Sequence, residues 1–214
     1  MDSIDAEIER IDALTLDSIA DSIQRIGFTC TDCGECCRSE PTEDHTALIL
    51  PDEVREIIDD TNTTWDAVAR PMPYGIEKDG TGETFEWALQ TTSCGDCRFY
   101  DAELRETGGC QIYASRPALC RTYPFQLTDN RSDGTGGIVD QDGAVRASAC
   151  EGLGQDIDRK SALELAQAVK ERTLRELAEA RRVLDLYQPV DHADELVVHD
   201  SEGAKTPTGE HIQR

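Results

Sequence analysis

Nowhere in its 214 residues does the chain hold an apolar run of about 18, the least a membrane-spanning helix needs. It has no phosphate-cradling P-loop, no G-x-G-x-x-G behind a strand and no G-x-S-x-G nucleophile elbow. The usual sequence marks of nucleotide-phosphate handling, dinucleotide binding and serine hydrolysis are therefore missing. Positive charge is short: Lys+Arg number 21 against 44 Asp+Glu, a net charge of −23, and the only lysines are Lys78, Lys160, Lys170 and Lys205. Such a balance repels phosphate backbones and argues against nucleic-acid binding. The acids are spread from Asp2 to Glu210 rather than massed in one segment. That spread fits a halophilic protein in a salt-rich cell interior, where charges are screened within ~3 Å at molar ionic strength, better than it fits an acidic docking tail. The opening "MDSIDAEIERID" is acidic, unlike a basic and then apolar secretory signal, so the chain reads as cytoplasmic. Thiols stay reduced in that compartment, and an odd total of nine cysteines would leave one over in any disulfide framework.

Cysteine is abundant, and it is clustered. "FTCTDCGECCRSE" at 28–40 places Cys30, Cys33, Cys36 and Cys37 within eight positions, followed by Cys94-x2-Cys97, Cys110, Cys120 and Cys150. Thiolates bind soft or borderline metals, and C-x-x-C lets two sulfurs converge across a tight turn. Gly34 and Gly95 relieve the backbone inside two of those turns. Cys30, Cys33 and Cys36 reproduce the C-x2-C-x2-C run by which bacterial-type ferredoxins offer three thiolates to an iron–sulfur cluster, and a fourth ligand must come from elsewhere. Adjacent side chains of an extended backbone face opposite ways, so Cys36 and Cys37 suit a bridge between two metal sites, or between a metal site and a reactive thiol. Two four-cysteine sites would use eight of the nine, without fixing which cysteines go together. Scattered free cysteines in a core are the ordinary alternative, and the clustering speaks against it.

The expected architecture is α+β: a small, irregular, cysteine-rich metal-binding domain with amphipathic helices at both ends. Residues 1–27 read as one helix packed on the domain, with Ile4, Ile8, Ile11, Leu14, Ile19, Ile23 and Ile26 on one side and a stop at Gly27. Residues 28–154 form the cysteine-cluster unit. Within it, "HTALILPDE" reads as a short strand entering a helix opened by Pro51 or Asp52, and "TTWDAVAR" as a short helix halted by Pro71 and Pro73. "TFEWALQT" reads as a strand, and "IVDQDGAVRA" as a hairpin turning at Asp142–Gly143. Residues 155–188 form a long helix with a Ser161/Glu164 capping box and an apolar side of Leu165, Val169, Leu177, Val183 and Leu184. Pro189 stops it, and the polar, acidic residues 189–214 are expected to be disordered.

"FTCTDCGECCR" resembles the C-x-x-C-x-x-C-C signature of the YkgJ-type cysteine-cluster family of zinc- or iron-chelating domains, and "CRFYD", "CQIYASRPALCRTYPF" and "ACEGLG" resemble its downstream blocks. The resemblance covers about residues 28–154. It implies Cys30, Cys33, Cys36, Cys37, Cys97, Cys110, Cys120 and Cys150 as ligands. Cys94 is extra to the pattern, and the last block reads Cys-Glu-Gly where the family commonly has Cys-Pro-Gly. Flagellin lysine methylases contain a similar cluster, but the resemblance here reaches the cluster alone. The implied cofactor is an iron–sulfur cluster of the 4Fe-4S kind, favoured by the ferredoxin-like triplet and the surplus of thiols, or zinc. The corresponding functions are a redox or protein-modification role with a protein or redox partner, or a structural zinc or metal-handling domain without catalysis. No residue stands out as catalytic. His45 lies outside the tail but reads as an ordinary side chain, whereas Arg116, Arg121 and Tyr123 lie where cations and hydroxyls could offset thiolate charge.

Overall fold

The computed structural model describes residues 3–39, 45–104, 109–128, 137–190 and 195–212. The isoleucine spacing at the start does produce helix, but in two pieces, α1 (Ile4–Asp12) and α2 (Leu16–Ile26). Ser3 Oγ accepts from Ala6 N–H and Thr15 Oγ1 from Ser18 N–H, so each piece has its own N-cap. The single helix expected over 1–27 is thus broken at Thr15, whose hydroxyl offers the backbone a local alternative to continued helix. Gly27 closes α2 with φ +77°, as its sequence position suggested.

β1 (Leu48–Ile49) enters α3 (Pro51–Thr61) with Pro51 in the first turn. There follow α4 (Trp65–Val68), β2 (Ala69–Pro71), β3 (Gly82–Thr84) and β4 (Trp87–Leu89). The short helix expected to run to the prolines stops at Val68, because Ala69–Pro71 pairs antiparallel with β4 instead. The cysteine-bearing stretch supplies β5 (Tyr100–Asp101), β6 (Gly109–Cys110) and α5 (Ala118–Thr122). β7 (Phe125–Leu127), β8 (Ile138–Asp142) and β9 (Val145–Ser148) form one sheet in the order β7-β9-β8, and β8–β9 is the hairpin foreseen at Asp142–Gly143. The 28-residue α6 (Arg159–Leu186) is about 42 Å long. Its cap is Asp158, which accepts from Ser161 N–H at 3.0 Å, rather than the expected Ser161. Val169, Leu177 and Val183 are buried on it, but Leu184 is 68% exposed, since α6 meets its neighbours through Ala162 and Ala166 as well as the larger residues.

The segment expected to be a disordered tail supplies β10 (Leu196–Asp200) and β11 (Gly203–Lys205). β10 lies parallel to β3 and antiparallel to β11. Val197 and Val198 are buried, and so are His199, Asp200 and Lys205. The acidic composition misleads here because the charges answer one another inside: Lys205 Nζ lies 2.7 Å from Asp200 Oδ2.

The result is an α+β fold with two apolar cores. The first joins α1, α2 and α6 to β7 and β9 through Ile11, Ile19, Ile23, Phe125, Val145 and Val169. The second lies under the β1-β4-β2 sheet, with Val54 and Ile57 of α3, Trp87, Leu89 and Val198 at its centre. Among the described residues, no helix is long and apolar enough to cross a membrane. The cysteine loops run between the two cores.

Candidate metal centre

Each thiol is placed by short, local backbone ties rather than by long elements. The chain leaving α2 pairs with the chain entering α6: Thr29 N–H donates to Gly152 O at 3.0 Å, Gly154 N–H to Gly27 O at 3.1 Å, and Phe28 bridges Leu153. Gly152 is required by this approach, since a Cβ there would stand 2.2 Å from Thr29 O. Thr31 Oγ1 reaches Glu151, the residue that departs from the usual Cys-Pro-Gly, at 3.4 Å. These ties bring Cys30 and Cys33 to the side where Cys150 emerges.

Gly34, with φ +75°, then turns the chain into a one-turn 3-10 segment, Glu35–Cys37. A Cβ on Gly34 would lie 2.6 Å from the Tyr100 ring, whose hydroxyl accepts from Arg38 Nη2 at 2.9 Å. Gly34→Ala is expected to cost about 1–2 kcal/mol, the penalty of left-handed backbone for an L side chain, read as a lower urea midpoint.

The second half of the site hangs on the other core. Cys97 N–H donates to Cys37 O at 2.8 Å, and Ser39 N–H donates to Asp96 Oδ1 at 2.8 Å, locking the first cysteine loop to the second. Cys110 pairs with Tyr100 across β5–β6, and Gln111 N–H donates to Phe99 O at 2.9 Å. Cys120 rides on α5, whose first N–H, from Ala118, is accepted by Glu53 Oε1 at 2.9 Å. Glu53 is almost fully buried and also accepts from Leu50 N–H and Arg175, so α3, α5 and α6 are held by one carboxylate. Cys97 is buried in the second core, and Cys37, Cys110 and Cys120 pack against it half-buried.

The thiols sense one another. Hydrogen bonding to Cys37 holds the Cys36 thiol well above its ordinary range. Burial pushes Cys97 up to about 11, with the charges of Cys110 and Cys36 adding to it. Burial also raises Cys120, reinforced by Cys97, Cys36 and Cys110, while Cys150 is raised by burial and by Cys33, Cys36 and Cys30. Crowded thiols of this kind resist ionising alone, and a cation that accepts them as thiolates removes the repulsion while releasing their protons.

A family model named CxxCxxCC and described as "Putative zinc- or iron-chelating domain" matches residues 29–151, more than half of the chain. The chain belongs to the CxxCxxCC family. No curated protein and no solved structure matches it. Metal chelation is the general activity of a CxxCxxCC domain, and the donors here suit it, because the side chains brought together are soft thiols of the kind that zinc and iron share. Among the described residues, no three His, Cys, Asp or Glu side chains stand close enough to hold one ion.

Of the other candidates in this CxxCxxCC protein, Arg116 carries a charge that reaches the thiols, favouring ionisation of Cys36 and Cys120. Its guanidinium stacks 3.7 Å over the Tyr113 ring and donates to Tyr113 O. The Tyr123 hydroxyl donates to Ala149 O, steadying the residue before Cys150, whereas Arg121 is exposed. His45 is half-buried and bonded through its backbone to Gly95 and Arg70, with its imidazole pKa lowered by burial and then by Arg70. Cys94 stands apart and exposed, its Sγ 3.0 Å from Thr92 Oγ1. A cleft of about 550 Å³ lined by Leu50, Trp87, Leu119, Arg172 and Glu176 has no thiol on its wall. Sequence reasoning missed Glu53, whose role depends on a contact with Ala118 that no local pattern announces.

Proposed function

We propose that this protein holds iron as iron–sulfur clusters of the 4Fe-4S kind, and that Cys30, Cys33, Cys36, Cys37, Cys97, Cys110, Cys120 and Cys150 are the ligands. The observation that carries the reading is the donor set: eight thiols on loops and short elements, four of them in or against the second core, headed by the ferredoxin-like triplet Cys30, Cys33 and Cys36. Zinc accepts the same sulfurs, but four would suffice to close one structural zinc site. When bound, such a cluster supplies one-electron chemistry. The chain's own part is to hold the thiolates through the ties at Gly152, Cys37 and Glu53 and to set Arg116 beside them, where a cation raises a cluster's potential. The role that follows is electron exchange with a protein partner, or support of a protein-modifying reaction, in a salt-rich cytoplasm to which the acidic surface is suited. The unit responsible is 28–154, carried on the flanking helices.

The test is anaerobic purification in high salt, with elemental analysis, acid-labile sulfide and a visible spectrum on one sample. Iron with matching sulfide, broad visible absorption and a reversible one-electron couple are expected. A colourless protein with stoichiometric zinc would make the domain structural or metal-handling and remove the redox role.

A further inference from the structure

We propose that the eight thiols form two separate four-sulfur sites that meet at the Cys36–Cys37 peptide: Cys30, Cys33, Cys36 and Cys150 in one, and Cys37, Cys97, Cys110 and Cys120 in the other. This rests on the metal-chelating reading and adds the grouping that the spacing alone leaves open.

Three independent placements define the division. The first group is tied to the first core. The backbone pairing of Thr29 with Gly152 and of Phe28 with Leu153 carries Cys30 and Cys150 together, and both Phe28 and Leu153 pack on that core. The second group is tied to the second core. Cys97 is buried in it, and Cys37, Cys110 and Cys120 pack on its edge, joined by the Cys97 N–H to Cys37 O bond and by the Tyr100–Cys110 pair. The third placement is the junction. Cys36 and Cys37 sit in a 3-10 turn, where successive side chains point ~120° apart. Cys36 is exposed, while Cys37 is half-buried against the second core. The two thiols lie within hydrogen-bond reach of one another, so the two sites meet at this peptide and share a wall. Cys94 belongs to neither group, because its neighbours are Thr92 and Ser39 rather than thiols.

The experiment counts metal. Full-length protein is loaded anaerobically with ferrous iron and sulfide, and in a parallel run with zinc alone, then desalted and assayed for metal per chain. Far-UV circular dichroism serves as the check that α6 and its neighbours persist. Cys150→Ala and Cys120→Ala should each keep half of the wild-type metal, the double variant none, and Cys94→Ala the full complement. Cys33→Ala and Cys97→Ala should reproduce the same halves, so one ill-folded variant does not decide the matter. If the double variant keeps as much as either single one, the sulfurs serve one site and the grouping fails. It fails too if a single variant loses all of its metal or keeps all of it. Wild-type protein that takes up neither metal would overturn the chelating reading itself, an outcome distinct from any failure of the division.

Discussion

Stripping the metal with a strong chelator under reducing conditions is expected to loosen one part of this protein and leave another standing. Residues 29–38, 94–104 and 109–122 should exchange their amide hydrogens freely, while α1, α2 and α6 keep slow exchange. The cysteine loops have little else to hold them: β5 and β6 are two residues long, and α5 is five. Isolated elements of that size do not persist in water. The second core also counts Cys97 among its buried residues, so thiols that lose their metal there lose packing as well as ligation. By contrast, the first core is built from Ile11, Ile19, Ile23, Phe125, Val145 and Val169, with no cysteine in it. Metal binding to small all-thiolate or thiolate–imidazole sites contributes ~10–16 kcal/mol, as much as the whole net stability of many domains, so its removal has to be felt wherever the backbone depends on it. Hydrogen exchange followed by mass spectrometry with and without chelator reads the pattern directly. Uniform loosening would mean that the two cores melt together, and no change at all would mean that the loops stand without metal.

That division of labour explains what could be read from the residues and what could not. Ligand spacing is local information, so "FTCTDCGECC" pointed to metal without any knowledge of the fold. Pro51 and Asp142–Gly143 were also readable, because a fixed φ and a tight turn are properties of the residues themselves. Which thiols keep company was not. It depends on Thr29 meeting Gly152 and on Cys37 meeting Cys97, contacts made by distant parts of the chain. The same holds for β2, where pairing with β4 overrides the helical character of "DAVAR", and for Thr15, whose hydroxyl interrupts an otherwise regular isoleucine stripe. The last segment was misread for a related reason. Composition treats every Asp, Glu and Lys as facing water, and it carries no record of charges that face one another.

Lys205→Met should therefore lower stability by about 3–5 kcal/mol, the loss that follows when one partner of a buried ion pair is removed. The Lys205 and Asp200 side chains are 1% and 2% exposed, with Nζ 2.7 Å from Oδ2. Lys205 also lies 2.6 Å from Glu202 Oε2 and 4.7 Å from the Trp65 ring, while Asp200 Oδ2 accepts from Trp87 Nε1 at 2.9 Å. Methionine fills similar space but leaves the Asp200 carboxylate buried with only neutral donors. The deficit arises from that orphaned charge rather than from lost volume, so Asp200→Asn added to Lys205→Met should recover a large share of it. Urea midpoints of the two variants and the parent, taken at one metal loading, separate the cases. A loss below about 1 kcal/mol, the worth of an exposed pair, would mean that water reaches the charges. A deficit that persists in molar salt would place them beyond screening, inside the strand pair that ties this segment to β3.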